Sequence, residues 1–481
     1  MNWQLPFKPP GQCGISHNWS GIICRAAICL VAAFASLGPP CVFAQPSMQT
    51  IVTNGPVSNR LNIVVLSEGY TSNELAQFSM DATNAINTLL SRQPFQEYAN
   101  YFNAFAIKVA SNQSGSAHPT GPPYTTYTYF NSIYYPNSDL ITIPPNFADA
   151  NSSHGQGKVD ALLRTNMPNC HLPILLVNER YDDGGSDGSG KTAIVAVTYQ
   201  LPEILTHETG HVLANLGDEY TTPYLGFPTN EEPNTTRQTN RTLIKWNAWI
   251  STNTPIPTTP PDSYPGVVGL FEGAHYHTNG WYRPKLDCLM RHQYVPFCDV
   301  CSEALVLAIY QHVRPVDGFS PASTNFSVST TQAMAFSVSL LQPATHDLDV
   351  QWFTNGVPQT GATNLTFTLS SQALANATNW VSAVVHDNTP LVRNDPTNLL
   401  SQTVTWVGVQ LRLDSPKWPS AGKFAFRIAG NAPQGVVVQS STNLLNWVRV
   451  KTNTLVGGQF WYTNSAAGSS PRTFYRATTP P

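Results

Sequence analysis

The pentapeptide His207-Glu208-Thr209-Gly210-His211 restricts the fold more than any other stretch of this chain. It has HExxH spacing, and on an α-helix residues four apart sit one turn apart on the same face. That is the separation at which two imidazoles can share one zinc ion, with Glu208 beside them. The motif therefore demands a helix, packed so that one side is buried while the histidines stay reachable. Pro202 suits the first turn of that helix, which would carry Glu203, Ile204 and Leu205 before the motif. An ordinary helix with two unrelated histidines is the plain alternative. It is weakened by the strand-like residues 192–198 before the helix and by Gly217-Asp218-Glu219-Tyr220 after it.

Two histidines leave a catalytic zinc site incomplete, because such sites usually take three protein ligands and a water. Asp218 lies seven residues beyond His211. On an unbroken helix it would share the face but stand about 10 Å further along, so the helix must end first. Gly217 is the expected turning point, bringing the Asp218 carboxylate back toward the metal. Glu219 is the rival ligand, with Glu272, His275 and His277 more distant candidates.

The flanking sequence supplies a scaffold. Residues 61–66 (LNIVVL) form a continuous β-branched run suited to a buried strand. Thr71-Ser72-Asn73-Glu74 then has capping-box spacing, and Leu75, Phe78, Ala82, Ile86 and Leu89 recur at helical intervals up to Pro94. Residues 104–110 and 173–177 read as further strands. Strands alternating with helices predict an α/β domain. The glycine-rich residues 181–190 read as a loop whose Asp182, Asp183 and Asp187 could hold calcium, but their spacing matches no calcium loop and a solvated loop is expected.

With 481 residues the chain exceeds one compact domain. Beyond about residue 313 its character changes to short alternating runs such as Phe336/Val338/Leu340 and Leu348/Val350/Trp352, with Asn355-Gly356 marking a hairpin. Residues 314–409 are expected to form a β-sandwich resembling immunoglobulin-like modules without their cysteine pair. Residues 410–481 are expected to form a small β-rich module, and the change near residue 313 is expected to separate independent cores, so that a chain ending near Val313 should fold on its own, bind zinc and keep its activity on short peptides. Aromatic residues in these modules could bind glycans, although sandwich aromatics are usually core. Lys8 and Arg25 precede an apolar run at residues 26–37, and Val42-Phe43-Ala44 resembles a cleavage site, so residues 1–44 read as an export signal. No later stretch is apolar enough to span a bilayer. The net charge of −3 and the absence of any basic run exclude nucleic acid as the expected partner. Removal of the signal leaves Cys170, Cys288, Cys298 and Cys301, for which an oxidising compartment favours at least one disulfide. Cys288, His292, Cys298 and Cys301 also form a spacing that could bind a structural zinc.

HETGHVLANLGDEY resembles the active-site helix of the IgA peptidase family of zinc metallopeptidases. Ser67-Glu68-Gly69-Tyr70, Pro94-Phe95, Leu176-Val177-Asn178, Phe271-Glu272-Gly273-Ala274, Arg283-Pro284, Cys288-Leu289-Met290-Arg291 and Phe297-Cys298-Asp299-Val300-Cys301 are similar to the family's other landmarks. The likeness covers about residues 50–313. It implies a multidomain chain with a metzincin-like α/β zinc peptidase domain at residues 45–313, and a protein or peptide substrate. It implies Zn2+ held by His207, His211 and Asp218, with Glu208 as the general base. Met290 resembles the methionine beneath the metal in metzincins, and His292 occupies the place of a residue that can steady the reaction intermediate. A secreted binding protein with a degenerate peptidase domain is the alternative.

Overall fold

The computed structural model describes residues 46–478 apart from 122–124, 139, 181–184, 187–190, 225, 260–265, 328–332, 371–377, 410, 431–433 and 468–471. The export signal and Asp182, Asp183 and Asp187 fall outside the described residues. Among the described residues no helix is long and apolar enough to cross a membrane.

The amino-terminal region is built on a five-stranded sheet. Its strands are β1 (Ser47–Val52), β2 (Leu61–Glu68), β3 (Phe102–Lys108), β4 (Leu172–Val177) and β5 (Ala193–Ala196), in the spatial order β1-β3-β2-β4-β5. β2 through β5 run parallel, and β1 closes one edge antiparallel to β3. Every residue of β2 is buried, which the unbroken apolar run predicts for a strand covered on both faces. Alternation divides its side chains between two cores. Leu61, Ile63 and Val65 join one, and Val64 and Leu66 the other.

Helix α1 (Leu75–Leu90) covers the first core, entered through the Thr71/Glu74 capping box in which Glu74 accepts the Thr71 amide at 2.8 Å. Phe78, Ala82, Ile86 and Leu89 are buried as their spacing predicts, and each large side chain so placed contributes about 1.5–3 kcal/mol. Helix α2 (Gln156–Asn166) covers the second core with Val159 and Leu162. Helices α3 (Leu201–Ala214) and α4 (Asp299–His312) pack into the first, where Ile204 and Leu205 meet Leu305, Val306 and Ile309. At the end of β2, Glu68 is buried and accepts hydrogen bonds from the Thr128 hydroxyl and the amides of Phe130 and Ser132, so one carboxylate organises the loop above the sheet. Gly69 follows with φ +69°, and a Cβ there would lie 2.2 Å from the Gly115 carbonyl.

After Val313 the described residues form β-strands and loops, with one short 3-10 turn at Val456–Gly458. Residues Val316–Ser320, Met334–Leu340 and Thr366–Leu369 form one sheet, and a five-stranded sheet faces the same core. Trp352 and Trp406 are fully buried there, stacked 5.8 Å apart. Asn355 and Gly356 both have positive φ, the conformation of a tight hairpin turn. Residues 412–478 hold two three-stranded sheets around Phe426, Ile428, Val436, Val438 and Leu455.

The seam at residue 313 is not a gap between separate cores. Leu341 and Leu400 belong to the same apolar cluster as α1, α3 and α4. Arg60, almost fully buried, pairs with Asp317 at 2.6 Å. His346 is held between Glu97 at 2.8 Å and Asp387 at 2.6 Å, and Asp387 also accepts the hydroxyls of Tyr98 and Tyr310.

Candidate metal centre and its support

Helix α3 starts at Leu201 with Pro202 in its first turn, where a missing amide hydrogen costs no intrahelical bond. It ends at Ala214. Asn215 takes the left-handed conformation with φ 51°, and the amides of Asn215 and Leu216 donate to the carbonyls of His211 and Gly210 at 3.0 and 3.1 Å. The turn expected at Gly217 is thus made by Asn215, a residue type that tolerates this region. Gly217 is crowded for another reason: a Cβ would lie 2.6 Å from a Glu232 carboxylate oxygen, so a larger residue would have to displace that side chain.

The early stop brings Asp218 back to the motif. His207 Nε2 and His211 Nε2 lie 3.0 Å apart, and Asp218 Oδ1 lies 3.2 Å from the first and 3.5 Å from the second. A carboxylate oxygen of Glu208 shares the same neighbourhood, within 4.8 Å of both imidazole nitrogens. His207 Nδ1–H donates to the Leu289 carbonyl at 3.0 Å and His211 Nδ1–H to the Leu216 carbonyl at 2.6 Å. These bonds place a proton on each Nδ1 and aim both Nε2 atoms at each other. Asp218 Oδ1 is buried without a hydrogen-bond partner. Two imidazole nitrogens and a carboxylate oxygen so placed call for a cation among them, whether a proton or a metal ion. The edges of a tetrahedron of nitrogen and oxygen ligands around zinc are about 3.3 Å, so the arrangement fits that ion. Burial disfavours a charged His211, but Asp218 outweighs it and holds the imidazole pKa up at about 10. Asp218 itself is opposed by burial, yet the two histidines keep it well below the usual carboxylate range. The cluster therefore attracts positive charge. His207, His211 and Asp218 keep 13, 15 and 14% of their side-chain surface open, so solvent reaches the cluster.

Three supports hold these groups. Met290 is fully buried beneath α3, and a side chain at Gly210 would meet its sulfur and Leu216 at 3.1 Å and Phe297 at 3.3 Å. Tyr276 donates its hydroxyl to Asp218 Oδ2 at 2.7 Å. It sits in a two-residue hairpin turn, His275-Tyr276, whose φ values of 54° and 56° are unfavourable for bulky residues. Asn234 grips the chain before Asp218, accepting the Gly217 amide at 2.7 Å and donating to its carbonyl at 2.8 Å. Sequence reasoning missed Tyr276 and Asn234. His-Tyr is no turn signal, and nothing in a distant Asn advertises a backbone clamp.

Glu219 points away from the histidines. Its carboxylate lies with Cys288, Cys298 and Cys301, all four groups buried and their ligand-type atoms within 4.8 Å of one another. The expected disulfide is absent: Cys170, Cys288, Cys298 and Cys301 are all unpaired. His292 is exposed and belongs to neither cluster. Glu272 accepts the Gly280 amide, while buried His275 stacks on Trp281 at 3.9 Å and faces Glu232, so these distant candidates are engaged elsewhere.

The family model described as IgA Peptidase M64 matches residues 50–264 and 259–309. No curated protein matches the chain. Among solved structures, the apo structure of Bacteroides uniformis beta-glucuronidase 3 is similar at 10% identity with a TM-score of 0.15, the match covering 42% of this chain and 27% of that one. The chain thus spans little more than a quarter of that protein.

Proposed function

Because the chain belongs to the IgA peptidase M64 family, we propose that it is an exported zinc metallopeptidase in which His207, His211 and Asp218 hold Zn2+ and Glu208 is the general base. The observation that supports this reading best is the convergence of two Nε2 atoms and Asp218 Oδ1 within 3.0–3.5 Å, with Glu208 beside them. Zinc in such a site acidifies water and polarises a carbonyl. Glu208, buried on the same helix, takes the proton from the water that attacks a peptide carbonyl and delivers it to the leaving amine. Tyr276 and the Leu289 and Leu216 carbonyls keep the ligands oriented. The family name is not evidence about this chain's substrate beyond its being a protein or peptide.

In this reading residues 1–44 direct export, 45–313 form a metzincin-like peptidase domain with Met290 beneath the histidines, 314–409 an immunoglobulin-like sandwich, and 410–481 a small β module. Trp418 and Trp461, both exposed on the last module, suit a surface or glycan contact. The test is Glu208→Gln in the full-length chain. Zinc content by mass spectrometry should be unchanged and cleavage of a peptide library reduced by at least about a hundredfold. Near-normal turnover would refute the assignment of Glu208, and absence of metal in the active wild-type chain would refute the class.

A further inference from the structure

We propose that Glu219, Cys288, Cys298 and Cys301 form a second, structural metal site, a cage of three thiolates and one carboxylate for a thiophilic divalent cation, zinc by preference. The residues come from three separate segments: the stretch after α3, the strap at residues 288–290, and the start of α4. Cys298 is the N-cap of α4 and Cys301 lies in its first turn, so this Cys-x-x-Cys pair presents two sulfurs from a rigid helix end.

The distances suit coordination better than any bond among the groups themselves. Cys288 Sγ and Cys301 Sγ are 3.5 Å apart, and Cys301 Sγ is 3.8 Å from Glu219 Oε1. The edge of a tetrahedron of sulfur ligands at the usual zinc distance is about 3.7 Å, whereas a disulfide needs about 2.05 Å. Glu219 is fully buried. Its Oε1 accepts from Asn234 at 3.0 Å, but Oε2 is buried with no hydrogen-bond partner. A buried carboxylate oxygen left unsatisfied beside three buried sulfurs is costly unless a cation joins them. A disulfide between any two cysteines would leave the third thiol and that oxygen unanswered. The excess negative charge of the cage meets the amino-terminal end of α4 and the nearby Arg283 and Arg291.

The site would act by position. Glu219 adjoins Asp218, its amide donates to the Met290 carbonyl at 2.9 Å, and Cys288 adjoins Leu289, whose carbonyl holds His207. A cation at the cage would lock the strap and the Asp218 segment to α4. The proposal itself requires nothing of the catalytic reading, and only the counts for wild type and Cys298→Ser below include the ion of that site.

The test loads metal-free, reduced full-length protein with Zn2+ and counts metal per folded chain. Wild type should bind two equivalents, the His207→Ala/His211→Ala double variant one, and Cys298→Ser one. The double-histidine variant loaded with Co2+ should show intense thiolate-to-cobalt charge-transfer absorption in the near ultraviolet. It keeps the test independent of how well Cys298→Ser folds. A folded double-histidine variant that binds no metal, or binds Co2+ without thiolate bands, would overturn the proposal. So would peptide mapping that finds two of these cysteines joined in the native exported chain.

Discussion

Replacing Tyr276 with Phe deletes one oxygen and leaves a defined defect. The ring contacts Phe227 at 4.5 Å, Tyr220 at 5.7 Å and Tyr224 at 5.9 Å, so packing should hold the phenyl group in place. What is lost is the 2.7 Å bond to Asp218 Oδ2, the hydrogen bond that orients the proposed third ligand. A hydrogen bond to a charged group is worth about 1.5–3 kcal/mol. If that energy is used to orient the carboxylate, metal affinity should fall by about 10–100-fold, the range found for partners of metal ligands. The two figures agree, since tenfold corresponds to about 1.4 kcal/mol. The assay is zinc competition against a chromophoric chelator, with circular dichroism to establish folding. Because the cysteine cage is predicted to hold its own ion, the measurement is made on the weaker-bound equivalent. Unchanged affinity for both equivalents in a folded Tyr276→Phe protein would refute the view that this hydroxyl fixes Asp218.

Gly210→Ala gains about 1 kcal/mol of helix propensity but forces contacts at 3.1 Å with Met290 and Leu216, and overpacking of this kind costs about 1–3 kcal/mol. A lower urea midpoint is expected, and a more stable variant would show that Met290 yields freely. Burial opposes protonation of His346, but its bonds to Asp387 and Glu97 outweigh that and raise its pKa in the folded state. The stabilisation is therefore complete below the unfolded pKa of about 6.5 and is lost as pH rises through the folded value. Melting temperatures measured across that range should decline with pH, and His346→Gln should flatten the decline. Ending the chain after residue 313 removes Leu341 and Leu400 from the amino-terminal core and strips Tyr98 and Tyr310 of their acceptor Asp387. The two leucines alone represent about 3–6 kcal/mol of burial, against a typical stability of 5–15. The truncated chain should unfold at clearly lower denaturant, and an unchanged midpoint would show that the seam is energetically idle.

Local signals translated well from sequence. The capping box at Thr71, the all-buried run of β2 and the single helical face of His207 and His211 each depend on residues within a few positions, where periodicity is informative. The return of Asp218 was legible because an unbroken helix cannot place it near the histidines. The residue that makes the turn was not, since Asn215 and Gly217 both suit it and it is Asn215 that takes the left-handed conformation. The cysteine spacing pointed to a cluster, but its fourth member came from Glu219, beyond the reach of any spacing rule, while His292 turned outward. The buried acceptor Asp387 gathers Tyr98, Tyr310 and His346 from three regions of the chain. Nothing local distinguishes it from a surface aspartate.

Asp218 and Glu219 are neighbours whose carboxylates serve opposite sides of one short segment, the first among imidazoles and the second among sulfurs. Their order fixes a phase. Deleting a single residue between Ala214 and Asp218 would carry Glu219 to the histidines and Tyr220 to the cysteines, and inserting one would carry Asp218 to the cysteines and leave the histidines without a carboxylate, so that neither set of donors could close. Point changes in this turn can be absorbed by side-chain adjustment, but changes of length cannot. Outside His211, Gly217, Asp218 and Glu219, the stretch from His211 to Tyr220 should therefore accept substitutions in a saturation library while rejecting every one-residue insertion and deletion.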